Sequence, residues 1–375
     1  MLSGYKGQLV YLQSLFLNDA VTLLTEIRGR RVKMQEVKLI AFVSGGIGDQ
    51  LYHFTQMRAL ASTTTSGTID VGCIHAPIMR RIAVGCDWIG QIIDISPLRR
   101  LAASVAFLAA VRDIKEGGYS DAWFMHKSGN FKIAAYLAGI PARHGLSARW
   151  LDRWVVDTPL LLSDGGERRT LWGHRPFIAA LDECLSAKGL VLDELNPTIQ
   201  PDPGKLAAVR HSLKHLRRPL IVVNLFAADA ARRWPIDHAV TVLRHVMNHF
   251  GASIMINSGP DAREYHAQAY AMLTASRQVS NIVDTDTLWR GIESDIALYH
   301  LADAYLGVDS FSANLAMNCN VKSAVLFYSD GDVLDYRGHN APLAPPSLVN
   351  GKEQPCLTDI TSDQIISALG RLLSD

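Results

Sequence analysis

The sequence predicts an α/β chain made of two Rossmann-like halves, on three observations. Short apolar runs of strand length alternate with stretches of helical period along most of the chain. The first run, Val37 to Val43, is broken by Ser44-Gly45-Gly46-Ile47-Gly48 and followed by a helical pattern, which is half of a βαβ unit. A second series of the same kind begins at Pro219, after a cluster of Pro197, Pro201, Pro203 and Gly204. The chain has 375 residues, more than one core usually holds, so two domains are expected. The expected divisions are a helical extension (1–36), a first Rossmann-like domain (37–200), a linker (201–218), a second such domain (219–357) and a C-terminal helix (358–375).

Composition narrows the function classes. Apolar content of 48% with 19% charged residues describes a globular protein. A net charge of +1 supplies no global field for nucleic acid. Five scattered cysteines, odd in number and without CxxC or Cys/His spacing, indicate neither a disulfide framework nor a zinc site. No signal-peptide pattern and no run of spanning length is seen, so a reducing, cytoplasmic setting is expected. Within 1–36, Leu9, Leu12, Leu15, Phe16, Leu23, Leu24 and Ile27 recur near helical spacing, before Arg28, Arg30, Arg31 and Lys33. Such a helix could lie peripherally on an anionic inner-membrane face. Packing on the first domain is its more ordinary fate.

The elements follow in order. After the glycine turn, Leu51, Phe54, Met57 and Leu60 share one helix face. Asp49 sits at the start of that helix. A carboxylate there ordinarily complements the helix dipole, and this stretch alone favours that role over chemistry. Thr68 to Ile74 and Gly90 to Ile95 read as strands, and Leu101 to Val111 as a helix. Tyr119 to Met125 is a further strand, ending in the polar turn His126-Lys127-Ser128-Gly129-Asn130 before a helix at Phe131 to Ala138. From Arg143 to Arg169 the pattern weakens into a loop with Trp150, Arg153, Trp154 and Gly165-Gly166. His174 to Lys188 is helical.

The second half repeats the scheme. Strands are expected at Leu220 to Leu225, Ser253 to Asn257, Asn281 to Val283, Ala304 to Val308 and Ser323 to Phe327. Helices are expected at Ile236 to Phe250, Asp261 to Ala275, Ile292 to Ala302 and Phe311 to Cys319. Three features fall at strand ends. Arg232 and Arg233 precede a helix with Pro235 in its first turn, Ser258-Gly259-Pro260 makes a tight turn, and Asp309-Ser310 opens another helix. Arginines fork onto phosphate and helix N-termini accept anions, so together these describe a diphosphate site with a carboxylate for sugar hydroxyls. Singly, the arginines are an ordinary surface pair and Asp-Ser an ordinary cap.

The ordered motifs of the chain resemble those of the ADP-heptose:lipopolysaccharide heptosyltransferases, glycosyltransferase family 9. The blocks are LIAFVSGGIGDQLYHFTQMRAL, YSDAWFMHKSGNFKIAAYLAGIPARHG, RRWPIDHAVTVLRHV, INSGPDARE and LADAYLGVDSFSANLAMNCNVKSAVLFYSDGD. The resemblance implies a GT-B fold, two Rossmann-like domains facing across a cleft, and inverting transfer with no metal or other cofactor. It implies a nucleotide-diphosphate sugar as donor, heptose or similar. The acceptor would be lipopolysaccharide or another cell-envelope glycan, free or lipid-linked. By position, Asp49 would be the general base. Arg232, Arg233, Ser258, Gly259, Glu264, Asp309, Ser310 and Asn314 would line the donor side, and Gly48, Gln50, His126 and Lys127 the acceptor side. The chain departs from the family at Arg232, where a lysine is usual, at Phe311, usually glycine, and at Asn314, usually histidine. Two other classes compete. A nicotinamide or flavin enzyme would show G-x-G-x-x-G, whereas Gly46-Ile47-Gly48 runs into Asp49-Gln50-Leu51 without the third glycine. A non-catalytic glycan- or nucleotide-binding protein on a decayed transferase scaffold is the other alternative, motivated by Phe311 and Asn314.

Overall fold

The computed structural model describes residues 37–100, 104–146, 152–160, 174–192, 196–257, 259–275, 281–288, 291–328, 340–344 and 356–374. The extension expected over 1–36 lies outside them, as do Trp150, Gly165, Gly166 and Ser258. Residues 38–375 form one compact unit.

The first half runs β1 (Leu39–Phe42), α1 (Ile47–Leu51), α2 (Phe54–Ala61), β2 (Ile69–Cys73), α3 (Ala76–Ala83), β3 (Ile89–Asp94), α4 (Val105–Glu116), β4 (Asp121–Phe124), α5 (Gly129–Leu137), β5 (Ala142–Leu146), α6 (Asp152–Val155), β6 (Thr158–Leu160) and α7 (His174–Ala187). The second runs α8 (Pro203–Leu213), β7 (Leu220–Asn224), α9 (Ile236–Phe250), β8 (Ser253–Ile256), α10 (Arg263–Thr274), β9 (Ile282–Asp284), α11 (Thr285–Leu288), α12 (Ile292–Tyr299), β10 (Ala304–Val308), α13 (Phe311–Asn318), β11 (Ser323–Leu326), β12 (Asn340–Leu343) and α14 (Ser362–Ser374). The two six-stranded sheets have orders β3-β2-β1-β4-β5-β6 and β12-β11-β10-β7-β8-β9. Among the described residues every strand pair is parallel. In each sheet the first and fourth strands of the half are neighbours, and the chain departs from them in opposite directions. Their C-terminal ends therefore flank the crevice where ligands of such sheets bind.

The central strands are buried on both faces, which is why they read as unbroken apolar runs. Alternate residues serve different cores. Ile40 and Phe42 pack outward with Phe107, Phe124 and Phe131. Ile221, Val223 and Leu306 pack with Trp234, Leu243 and Leu369. Leu39, Ala41, Leu220, Val222 and Tyr305 point the other way, into a single core that also holds Leu51, Leu185, Ile199, Ile296 and Leu315. One continuous apolar cluster thus joins the two sheets.

Several elements differ from the sequence expectation. The stretch from Arg143, expected to be a surface loop, contains β5, α6 and the short edge strand β6. Their signal is weak because Arg143 and Asp157 interrupt the apolar pattern; these two pair with each other, Arg143 Nη2 to Asp157 Oδ1 at 2.8 Å. Helix α3 was not expected either. Pro77 is tolerated in its first turn, and Ala76, Met79 and Ile82 form its buried face. Within 201–218, Asp202 and Pro203 start a helix instead of breaking one: the Asp202 carboxylate accepts the Lys205 amide at 2.8 Å. Helix α4, expected over Leu101 to Val111, spans Val105–Glu116, with the Ser104 hydroxyl accepting the Phe107 amide at 3.2 Å; residues 101–103 lie outside the described ones.

Candidate active site

In the first half the β1 strand ends at Phe42 and the chain turns through Ser44-Gly45-Gly46. Gly45 has φ +93°, and a Cβ there would lie 2.4 Å from Asp49 Oδ2. Only glycine fits both demands. Asp49 Oδ2 accepts the Gly46 amide at 2.8 Å, so the acid closes the turn that carries it. Gln50 is fully buried, and its Nε2 donates to the carbonyls of Gly45 (3.2 Å) and Gly46 (3.3 Å). The neighbouring β4 end is registered to β1 by the Met125 amide, which donates to the Phe42 carbonyl at 3.0 Å. His126 and Lys127 therefore sit on the same rim, half-buried. The Ser128 amide donates to His126 Nδ1 at 3.2 Å, fixing the imidazole against its own turn.

The second half builds the matching rim from β7 and β10. Asn224 closes β7; its Oδ1 accepts the Phe226 amide at 2.7 Å, and its Nδ2 donates to Ser312 Oγ on α13. The next loop carries a 3₁₀ turn, Ala230–Arg232, capped by Asp229. Arg232 Nη1 reaches Asp309 Oδ2 at 3.1 Å, with 39% of the arginine side chain and 17% of the aspartate exposed. Arg233 turns inward on the loop. Its Nε donates to the Ala227 carbonyl at 2.9 Å, its Nη2 to that of Ala228 at 3.3 Å, and its guanidinium lies 4.3 Å from the Phe226 ring centroid. Trp234 is wholly buried. Ser310 is the N-cap residue of α13, and Asn314 Nδ2 donates to its carbonyl at 3.0 Å. Gly259 and Glu264 are exposed near the start of α10. Among the described residues, no hydrogen bond or ion pair joins Glu264 to Arg232 or Asp309.

The two rims meet at α1 and α13. A Cβ on Gly48 would lie 3.1 Å from Asn314 Nδ2 and 3.2 Å from Phe311 Cα, so backbone packs on backbone there. Asn318 ties this contact. Its Nδ2 donates to the Leu51 carbonyl at 3.0 Å and to the Asn314 carbonyl at 2.8 Å, while its Oδ1 accepts from Thr198 Oγ1. Gln50 Oε1 and Asn314 Oδ1 are buried acceptors at this junction that no described group donates to. A bidentate pair, Arg81 with Glu293 at 2.8 and 2.6 Å, joins α3 to α12, and the guanidinium holds the Glu293 carboxyl below its ordinary range.

The expected site residues thus fall into groups. Gly48 meets Asn314 at the α1–α13 contact, Asp49 and Gln50 hold the Gly45-Gly46 turn beside it, and Arg232 meets Asp309. Arg233 supports its own loop. Sequence reasoning passed over Asn224 and Asn318. A polar residue closing the run LIVVN is a usable signal for the first; the bond from Asn318 to Leu51 spans 267 residues and leaves no local trace.

No family model and no curated protein matches this sequence. Solved structures do match. A glycosyltransferase family 9 protein from Veillonella parvula has a TM-score of 0.70 at 16% identity, covering 90% of this chain and 97% of that one. The E. coli ADP-heptose LPS heptosyltransferase II has a TM-score of 0.66 at 18% identity, covering 90% and 99%. The E. coli heptosyltransferase WaaC has 0.59 at 14%, covering 89% and 99%. The fold is thus the GT-B type that the motifs implied, two parallel-sheet α/β halves shared over nine-tenths of the chain.

Proposed function

We propose that this protein is a glycosyltransferase that moves a sugar from a nucleoside-diphosphate donor to an acceptor hydroxyl, with inversion at the anomeric carbon. The observation that carries the reading is the junction of α1 with α13. The helix bearing Asp49 rests on the helix that follows Asp309-Ser310, with Arg232 paired to Asp309. Asp49 takes the proton from the acceptor hydroxyl as its oxygen bonds to the anomeric carbon. The bond from that carbon to the diphosphate breaks, and the electron pair leaves with the nucleoside diphosphate. Arg232 meets the charge that develops there. A cation in this role is consistent with metal-independent transfer. The buried oxygens of Gln50 and Asn314 are acceptors suited to sugar hydroxyls.

The similar WaaC structures were solved with ADP and with ADP-2-deoxy-2-fluoro heptose, which supports a nucleotide-sugar donor here. A cell-envelope glycan, such as a lipopolysaccharide core, is the acceptor class we infer from the same likeness. The motif departures at Phe311 and Asn314 favour a second reading, a nucleotide- or glycan-binding protein without transfer.

A thermal-shift screen of nucleoside diphosphates and their sugars, followed by a transfer assay with excess chelator, tests both. A ligand that binds only the folded chain raises its melting temperature by mass action. Selective stabilisation by one nucleotide sugar, with chelator-resistant transfer, is the expected result. Stabilisation without transfer to any glycan supports the second reading, and no response to any nucleotide overturns the first.

A further inference from the structure

The loop that carries Arg232 is gripped at both ends by two consecutive residues of one helix. At its start, the Leu225 amide donates to His266 Nε2 at 3.0 Å. At its end, the Tyr265 hydroxyl donates to the Trp234 carbonyl at 2.7 Å. The ends are closed on each other by the Trp234 amide, which donates to the Leu225 carbonyl at 2.9 Å. Leu225 and Trp234 are both fully buried, so the base of the loop is anchored while its tip, with Asp229 to Arg232, faces outward. Tyr265 also meets the loop through its ring, 6.0 Å from that of Phe226 at an interplanar angle of 64°. Phe226 in turn underlies the Arg233 guanidinium.

His266 is 1% exposed. Its Nε2 accepts a backbone hydrogen bond, which only the neutral ring with its proton on Nδ1 can do. Burial favours that form. Removing the imidazole would leave a buried amide without its acceptor, and the loop would have to move to solvate it.

We propose that Tyr265 and His266 are positioning residues which hold the 225–234 loop so that Arg232 stays on Asp309, where the donor diphosphate binds. The loop clamp follows from the geometry alone; its use for a diphosphate rests on the function proposed above. Both residues hold the loop at its base. They act through Arg232.

Hydrogen exchange on the full chain tests the clamp without any ligand. In His266→Leu and in Tyr265→Phe, amides of 226–233 should exchange at least tenfold faster, while those of β7 and α9 stay as in the wild type. His266→Gln, which can place an oxygen near the Nε2 position, should restore slow exchange. Titration with ADP, GDP and UDP then reads the function. The nucleotide that binds the wild type should bind His266→Leu and Tyr265→Phe at least fivefold more weakly, and neither change should weaken it further in an Arg232→Ala background. A merely structural role would weaken both backgrounds alike and overturn the proposal, as would unchanged loop exchange. Tyr265→Phe keeps the test open if His266→Leu does not fold. Faster loop exchange in a protein whose wild type binds no nucleotide would leave the clamp standing and remove the donor assignment.

Discussion

Asp49 both caps its own turn and is placed to take a proton, and one substitution separates the roles. Asparagine keeps an oxygen for the Gly46 amide and loses the basicity. Asp49→Asn is expected to fold, to bind nucleoside diphosphate as the wild type does, and to lose transfer by about 10²–10⁴-fold, the usual worth of a general base. Nucleotide affinity falling together with transfer would remove Asp49 from that role. At His266, burial pushes the imidazole down from its ordinary value to about 4. The unfolded chain binds this proton below about pH 6.5 and the folded chain only near pH 4. Stability from this group is therefore complete above pH 6.5 and lost as pH falls toward 4, by about 3 kcal/mol. Urea unfolding across that window should show the loss, and His266→Gln should flatten it. Equal slopes in the two proteins would contradict the assignment.

Helices α5 and α6 show how an element can depend on one buried pair. Lys132 Nζ meets Asp152 Oδ2 at 2.7 Å, and both side chains are almost wholly shielded from solvent. The pair fastens the helix that follows the His126-Lys127 turn to the short helix of the next crossover. Removing the lysine takes away the cation that Asp152 meets at 2.7 Å in a site almost wholly shielded from solvent. Lys132→Met is expected to destabilise the fold by about 3–5 kcal/mol, measured by denaturant unfolding; a loss under about 1 kcal/mol, the surface-pair range, would mean that water reaches Asp152. This region was poorly legible in the sequence. Strand β6 has three residues, and the polar side chains that anchor β5 and α6 erase the alternation by which strands are read. Strands β1, β7 and β10 were legible because central parallel strands are apolar on both faces.

Across the whole molecule, the shared core outweighs the polar links between the halves. The Arg81–Glu293 pair is well formed, yet its side chains are 49% and 32% exposed, so solvent screening leaves it worth about 1 kcal/mol at most. The cluster around Leu51, Ile199, Ile296 and Leu315 is fully or nearly fully buried and belongs to both sheets. Residues 38–375 are therefore expected to unfold in a single transition, coincident by calorimetry and circular dichroism. Arg81→Ala should lower its midpoint slightly without splitting it. Two resolved transitions in the wild type would show that each sheet is stable without the other.

The order of strand, glycine turn and helix, and the two-fold use of that order, were determined by the sequence alone. These features arise from contacts within a turn or two of chain, and parallel topology then brings the strand ends that carry chemistry to one rim. The tertiary structure decided what neighbouring residues of one type cannot reveal. Arg232 reaches Asp309, 77 residues away, while Arg233 folds back on Ala227. It also decided that Gly48 lies against Phe311 and that Tyr265 and His266 grip a loop through bonds spanning 31 and 41 residues. Such pairings depend on how two sheets and their helices pack in three dimensions, and no periodicity along the chain encodes them.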